Sequence, residues 1–244
     1  MPEVAGTPGV FDVEPFRGAG RRVVLREIDQ PVLVLGSTQP STLVDVGRAA
    51  RRGVEVVRRR SGGAAVLLLP GAQVWADLWL PTGDSLWSAE PRASAVVAGE
   101  WWVRALGKLA SGTATDGIGG LTVHRGPSIQ APGSDVVCFA GIGPGEVVRE
   151  GRKVVGLAQW RSREGVLVHG CAYRRWDPDP LLDLLDLAAA ARLGLAGSLR
   201  SSALGIEELG IGELGIGELG AASWGHPQLV GALPDPPSWE VLQG

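Results

Sequence analysis

A chain of 244 residues with 45% hydrophobic and 20% charged residues suits one domain of ordinary to large size and can bury a sizeable core. A formal net charge of −3, with basic residues only in short arginine runs, argues against a nucleic-acid partner, and no apolar stretch approaches the roughly 20 residues of a membrane span. The start, "MPEVAGTPGVFDVEP", lacks the apolar segment of a secretion signal; Cys138 and Cys171 are too few for a disulfide framework; and His124, His169 and His226 lack zinc spacing, so a reducing cytoplasm without a bound metal site is expected.

Residues 1–20, rich in Gly and Pro, read as a loose arm. "RRVVLREI" and "PVLVLG" are two short strands. Thr42 and Asp45 in "TLVD" have capping-box spacing and predict a helix over roughly 42–52, stopped by Gly53. "VEVVRR" and "AAVLLL" are strand-like runs separated by Arg60, Ser61, Gly62 and Gly63, and Pro70-Gly71 makes a turn. "VWADLWLP" alternates Trp75, Asp77 and Trp79 against Val74, Ala76, Leu78 and Leu80, which predicts a half-buried strand. An Ala- and Trp-rich helix follows over roughly 91–110.

Residues 111–134 are Gly-, Thr- and Pro-rich, with a short strand around "LTVH". "DVVCFA", "EVVRE", "RKVVGLAQWR" and "EGVLVHGCAY" read as strands, with a hairpin turn at Arg149-Glu150-Gly151-Arg152 in which Gly151 takes positive φ. "DPDPLLDLLDLAAAARLG" predicts one helix. "LGIEELGIGELGIGELG" then repeats a five-residue unit that fits neither the helical nor the strand period. Residues 198–244 are therefore expected to be a low-complexity tail, which leaves 21–197 as the folded unit. Many hairpin-linked strands with few helices give an α+β class, a largely antiparallel mixed sheet flanked by helices.

Two stretches carry chemistry. In "VVRRRSGGAAV", Arg58, Arg59 and Arg60 sit beside Ser61, Gly62 and Gly63. Glycines admit a ligand close to the backbone, exposed amides there hold anions, and forked guanidinium groups neutralise carboxylate or phosphate. The plain alternative is a glycine-rich hairpin with solvated arginines. In "EGRKVVGLAQWRSREGVLVHG", alternation puts Lys153, Val155, Leu157, Gln159 and Arg161 on one face and Val154, Gly156, Ala158 and Trp160 on the other. Lys153 and Lys108 are the only lysines among 23 basic residues, so a lysine here stands out against an arginine default. Lysine offers one compact ammonium to one oxygen, which arginine does not. The alternative is a strand-end lysine that snorkels to water.

Together these stretches resemble the lipoate–protein ligase family, within the larger biotin/lipoate ligase and octanoyltransferase superfamily. The resemblance covers roughly 20–195. It rests on Arg58, Arg59, Ser61, Gly62 and Gly63, then Lys153, Gly156, Ala158 and Gln159, then His169-Gly170, with Gly36 and Gln39 in "LVLGSTQP". It implies a mainly antiparallel α+β domain in which Lys153 reaches the carboxyl end of a lipoyl or octanoyl group. Gly156 and Ala158 would leave room for an apolar acyl tunnel, with Trp75 or Trp79 as candidate walls. Three departures stand out: Ala64 replaces the third loop glycine, Leu68-Leu69 replaces a His-Asp pair, and only the repeat follows where many ligases carry an accessory domain.

A second resemblance is to octanoyltransferases with a cysteine fifteen residues before the lysine, the separation of Cys138 and Lys153; there the cysteine carries an acyl thioester. Read as a residue alone, Cys138 in "VVCFA" is equally a small buried hydrophobe. Three functions remain open. The first is an ATP-dependent ligase, using ATP and Mg2+ to attach lipoate or octanoate to a lysine of a lipoyl-domain protein of the 2-oxoacid dehydrogenase or glycine cleavage type. The second is a Cys138-dependent transferase drawing on acyl carrier protein. The third is a degenerate acyl-binding protein. Lys153 and Cys138 are the candidate catalytic residues; Arg58, Arg59, Ser61, Gly62, Gly63, Gly156, Ala158, Gln159 and His169 are the candidate binding residues.

Overall fold

Alternate residues of two short apolar strands go to different neighbours, and this sets the layering. The computed structural model of the protein describes residues 16, 18, 20–111, 119–211 and 230–231. Strands β2 (Val32–Leu35), β3 (Glu55–Arg58) and β4 (Val66–Leu68) form a small sheet, with β2 parallel to β3 and antiparallel to β4. Leu33, Leu35 and Leu67 face helices α1 (Val46–Arg51), α3 (Asp179–Leu184) and α4 (Ala189–Ser202). Val32, Val34, Val66 and Leu68 face the other way, onto a second sheet. Burial on both faces is why these strands are unbroken apolar runs.

Among the described residues the second sheet has seven strands, all paired antiparallel, in the order β10 (Val230–Gly231), β1 (Arg22–Arg26), β5 (Gln73–Pro81), β9 (Gly165–Tyr173), β8 (Arg152–Arg161), β7 (Val147–Arg149), β6 (Thr122–Val123). Helix α2 (Pro91–Ser111) covers one face, setting Ala98, Trp101, Trp102, Ala105 and Leu106 against Ala76, Leu78, Leu80, Val166 and Val168. The other face meets the small sheet through Trp75, Cys171 and Tyr173. The architecture is the α+β, largely antiparallel one expected. In the β7–β8 turn Glu150 (φ 52°) and Gly151 (φ 73°) are both left-handed, as a tight hairpin requires.

Five local readings change. Helix α1 starts later than predicted: Asp45 is the N-cap and accepts from the Arg48 amide at 2.8 Å, while Ser41–Leu43 form a separate 3-10 turn. Strand β5 is buried on both faces rather than half-buried, because α2 covers Ala76, Leu78 and Leu80 on one face while the small sheet and Phe16 cover Trp75 and Trp79 on the other. "DVVCFA" is a turn rather than a strand; the Val136 and Val137 amides donate to Gly133 O, and the segment makes a single bridge, at Ala65, whose amide donates to Val136 O and whose carbonyl accepts from the Cys138 amide. Val137, Phe139 and Ala140 are buried, but a short apolar run does not encode its own backbone shape. The predicted last helix is two helices, because Leu185 bridges to Val44 instead of continuing α3. Finally, a boundary at 197/198 would fall inside α4.

Beyond α4, Leu204, Ile206, Leu209 and Ile211 pack into the core beneath the large sheet. The Leu204 amide donates to Lys153 O at 2.8 Å, and Arg152 donates to Ala203 O at 2.7 Å. The first unit of the repeat is thus core, while residues 212–229 and 232–244 lie outside the described residues, as does most of the 1–20 arm. Of that arm, Phe16 is buried against Trp79 and Leu167. Ile206→Ala should therefore cost about 2–4 kcal/mol, the range for truncating a buried branched side chain, measured as a fall in the urea midpoint. An unchanged midpoint would mean that the repeat's first unit contributes nothing to the core.

Candidate active site

Between the two sheets lies a cleft, and the side chains around it come from four separate segments. Lys153 stands at the start of β8 with 2% exposure, so it does not snorkel to water. Its Nζ lies 2.7 Å from Glu146 Oε2 and donates to Cys138 O at 2.6 Å. It also sits 5.4 Å from the centre of the Phe139 ring. Glu146 accepts from the Gly143 amide at 2.5 Å and the Leu157 amide at 3.1 Å. A buried carboxylate with two amide donors and an ammonium is fully satisfied, and so is the ammonium's charge.

Strict alternation fails at this lysine. Between β7 and β8, Val147 pairs with Val155 while Val148 pairs with Lys153, so β8 carries one extra residue. Val154 and Val155 both enter the main core as a result. Lys153 and Gly156 then share a side: a Cβ on Gly156 would lie 3.7 Å from Lys153 Cδ and 3.0 Å from the Phe139 ring. Glycine at 156 is what lets that ring reach the sheet.

Arg59 is the second buried cation, with 2% exposure. It donates to Gly62 O at 2.8 Å and Ala64 O at 2.9 Å, which ties the glycine loop down, and its Nη1 has no hydrogen-bond partner. Burial lowers its affinity for the proton, and Cys138 and Cys171 nearby act in the opposite direction. The Ser61 hydroxyl is likewise buried without a partner. Gly36 permits the close packing under the loop, since a Cβ there would fall 1.7 Å from Gly63 O.

Two adjacent spaces result. An outer cavity of about 160 Å³ is bordered by Gly63, Ala64, Cys138, Glu146 and Lys153. A narrow inner cleft is lined by Arg59, Trp75, Phe139, Gly156, Ala158, His169 and Cys171. Cys138 and Leu157 border both. Cys138 is half-buried, whereas Cys171 is buried and its thiol is pushed well up by that burial. Beneath the inner cleft, Asp77 on β5 faces His169 on β9 directly across the sheet. Its carboxylate lies 2.7 Å from His169 Nδ1 and accepts from Trp75 Nε1 and Arg26 Nε, each at 2.8 Å. Burial alone would raise Asp77, but His169 and Arg26 hold it below its ordinary value.

The structure brings Lys153, Cys138, Arg59, Gly63, Gly156, Ala158 and His169 together around these spaces. Arg58 turns away and holds the 36–41 loop through Gly36 O and Ser41 Oγ. Gln159 donates to Pro91 O at the start of α2. Gly62 is exposed, and Gly62 and Ser61 border neither space. Trp75 lines the inner cleft, while Trp79 packs on Phe16. Sequence reasoning missed Glu146 and Asp77. For Asp77 the available signal was one acidic residue inside an otherwise apolar run; Glu146, directly after Gly143-Pro144-Gly145, carried no such signal. Leu68 and Leu69 bring no polar pair, and Leu68 is wholly buried in the inter-sheet core. Among the described residues no three His, Cys, Asp or Glu side chains are grouped to hold a metal, and no helix is long and apolar enough to cross a membrane.

A family model described as the lipoyl protein ligase A/B catalytic domain matches residues 16–218. Octanoyltransferase LipM of Kyrpidia tusciae is 32% identical over 158 residues, which are 64% of this chain and 56% of that protein, so the match spans little more than half of the relative. Among solved structures, lipoate-protein ligase A bound with ATP superposes with a TM-score of 0.53 at 15% identity, covering 83% of this chain and 70% of that one. An archaeal bipartite lipoate protein ligase, studied with its E2 lipoyl domain from Thermoplasma acidophilum, gives 0.54 at 17% identity, covering 87% and 77%. At these identities the two structures establish the fold.

Two outcomes follow from the geometry. Gly36→Ala must displace the Gly63 carbonyl, so it should lower the melting temperature and reduce binding of a fluorescent octanoyl probe at least about tenfold, a loss of roughly 1.4 kcal/mol; unaltered binding would separate the loop from the ligand. Asp77→Asn should cost about 1–3 kcal/mol at pH 7. Because the folded carboxyl is held down, its contribution is complete above the unfolded value of about 3.9 and fades as pH falls through the lower folded value. The stability gap between wild type and variant should therefore close in acid, and a gap independent of pH would remove the charge from the explanation.

Proposed function

Because the chain belongs to the lipoyl protein ligase A/B catalytic domain family, we propose that it transfers an octanoyl or lipoyl group to a lysine of a lipoyl-domain protein through a thioester on Cys138. The observation that carries this reading is the position of Cys138. It sits half-buried in a turn where the outer cavity meets the inner cleft, and its carbonyl is held by Lys153. Cys171, by contrast, is buried inside β9 and borders the inner cleft alone. The relative of 32% identity, an octanoyltransferase, supports the same choice.

The inner cleft has a free volume of about 10 Å³, room for about one water, so it opens between the sheets to take the acyl chain against Phe139, Trp75, Gly156 and Ala158. The Cys138 thiolate attacks the thioester carbonyl of an acyl carrier protein; a new C–S bond forms, the old one breaks, and the carrier leaves as its thiol after taking up a proton. Two ammonium protons of Lys153 are taken by Glu146 and Cys138 O, and the third is donated to the acyl oxygen, where negative charge builds. The acceptor lysine amine then attacks the Cys138 thioester. A C–N bond forms, the C–S bond breaks, the amine loses a proton and the thiolate returns. Acceptors are lipoyl domains of the 2-oxoacid dehydrogenase or glycine cleavage type. A nucleophilic thiol of this kind fits a reducing compartment such as the cytoplasm.

The ligase alternative activates free lipoate or octanoate with ATP. Any Mg2+ would then come with the nucleotide phosphates, since the described residues group no carboxylate set for it. The buried, unpartnered Ser61 hydroxyl in the glycine loop is the feature that favours this second reading.

Incubation with octanoyl-acyl carrier protein and no ATP should add one octanoyl group, located on Cys138 by mass spectrometry and released by hydroxylamine. Cys138→Ser should lose transfer at least about a hundredfold, because a hydroxyl ionises far less than a thiol. Acyl-adenylate formed from free acid and ATP, with Cys138→Ser fully active, would replace this mechanism by the ligase one. Absence of both species would leave a non-catalytic acyl-binding protein.

A further inference from the structure

The inner cleft runs along one face of the large sheet, and the strand register orders that face in rows. Trp75, Cys171 and Gly156 form the first row, Asp77, His169 and Ala158 the second, and Trp79, Leu167 and Trp160 the third. The Cys138 turn meets the first row: a Cβ on Gly156 would lie 3.0 Å from the Phe139 ring and 3.7 Å from Lys153 Cδ. Ala158 and His169 carry the cleft into the second row, and no residue of the third row lines it. The third row is covered instead by Phe16, which is 1% exposed and packs on Trp79 and Leu167, with Trp160 against the same cluster. Its ring centre is 6.0 Å from that of Trp79, and Arg26, bonded to Asp77, lies 5.4 Å over it. Arg60 lies over the Trp160 ring, 5.7 Å from its centre. No small-sheet residue belongs to this cluster, so among the described residues Phe16 is the apolar group that closes the face here.

On the reading of this cleft as an acyl-transfer site, we propose that Phe16, with Trp160, is its end wall and sets the chain accepted at about eight carbons. Side chains on one face of a strand repeat about every 6.6 Å, so the third row stands about 13 Å from the first. An extended octanoyl group spans about 9 Å from its carbonyl to its last carbon. With the carbonyl at Lys153 beside the first row, the chain ends one carbon–carbon contact, about 4 Å, short of the third. A lipoyl group has the same eight-carbon backbone and ends at the same depth. A dodecanoyl group is about 5 Å longer and runs into Phe16 and Trp160. Parting of the two sheets admits the chain over the first two rows without moving this wall, because the wall is not built from the small sheet. A buried ring among aromatic neighbours also resists displacement, since its apolar area would return to water.

The test reads acyl binding without any transfer. Octanoate and dodecanoate are each used to displace the fluorescent octanoyl probe from the whole protein, and the ratio of their dissociation constants measures chain-length selection. The wild type should bind octanoate at least about tenfold more tightly than dodecanoate, although each methylene taken out of water strengthens binding about fourfold where there is room for it. Phe16→Ala removes the ring and should shift that ratio toward dodecanoate at least about tenfold. Phe16→Leu, which keeps an apolar contact on Trp79, should shift selection toward decanoate at least about threefold. A folded Phe16→Ala protein with the wild-type ratio overturns the proposal, as does equal weakening of both acids, the mark of a residue that only packs. A wild type that binds dodecanoate more tightly than octanoate overturns it too. Should Phe16→Ala fail to fold, Phe16→Leu decides. Failure of the transferase reading appears separately, as no acyl adduct on Cys138 from octanoyl-acyl carrier protein in a protein whose chain-length ratio still depends on Phe16.

Discussion

The Lys153–Glu146 ion pair is the constraint on which the rest of the site depends. Taking both charges out of water costs several kcal/mol per ion, and their attraction repays it only with good geometry and further hydrogen bonds. Those bonds are present: the Gly143 and Leu157 amides on the carboxylate, and the Cys138 carbonyl on the ammonium. Each bond also fixes a different segment. The pair therefore joins the 138 turn, the 143–146 turn and strand β8 at one point, and Leu204 closes the fourth side through the Lys153 carbonyl. A surface pair would do none of this, because water would compete for every partner.

Around that point the two sheets leave an opening rather than a closed core. The bulge in β8 turns Lys153 and Gly156 to the same side, and Gly156 admits the Phe139 ring. That ring stacks on Trp176, with centroids 5.0 Å apart, and meets Tyr173 edge-on at 4.9 Å. The aromatic cluster holds the turn that carries Cys138, and Ser202 adds a bond to Phe139 O at 2.8 Å. On the far side Arg59 fastens the glycine loop by its own carbonyls. The cysteine is thus presented from a well-braced turn, which is what the proposed role of a nucleophile aimed at a fixed acyl carbonyl requires.

Much of this was legible in the sequence where one residue type carries one physical demand. One of only two lysines in an arginine-rich chain marked the centre of the site, and the glycine loop marked its rim. The α2 helix and the β7–β8 hairpin followed from composition and turn chemistry. The rest depended on tertiary partners. Alternation along β8 misassigned its faces because a bulge adds a residue without any composition signal. "DVVCFA" has the apolar content of a strand but folds as a turn, since burial alone satisfies its side chains. Arg58 and Arg59 are adjacent and identical in type, yet one braces a loop and the other lines the cleft; only the path of the backbone separates them. Glu146 and Asp77 gain their meaning from Lys153 and His169, one across a hairpin and the other across a sheet.

The five-residue repeat begins inside the folded core, and this limits how the chain can vary. Leu204, Ile206, Leu209 and Ile211 occupy fixed places beneath the large sheet. The units are nearly identical, so loss of 204–208 would bring Leu, Gly and Ile back to the same positions and would change only Glu207, to Gly. The side chain lost is the one that pairs with Arg175 at 2.5 Å. The core therefore reads the apolar spacing of the repeat rather than any single unit, and a gain or loss of whole units keeps that spacing.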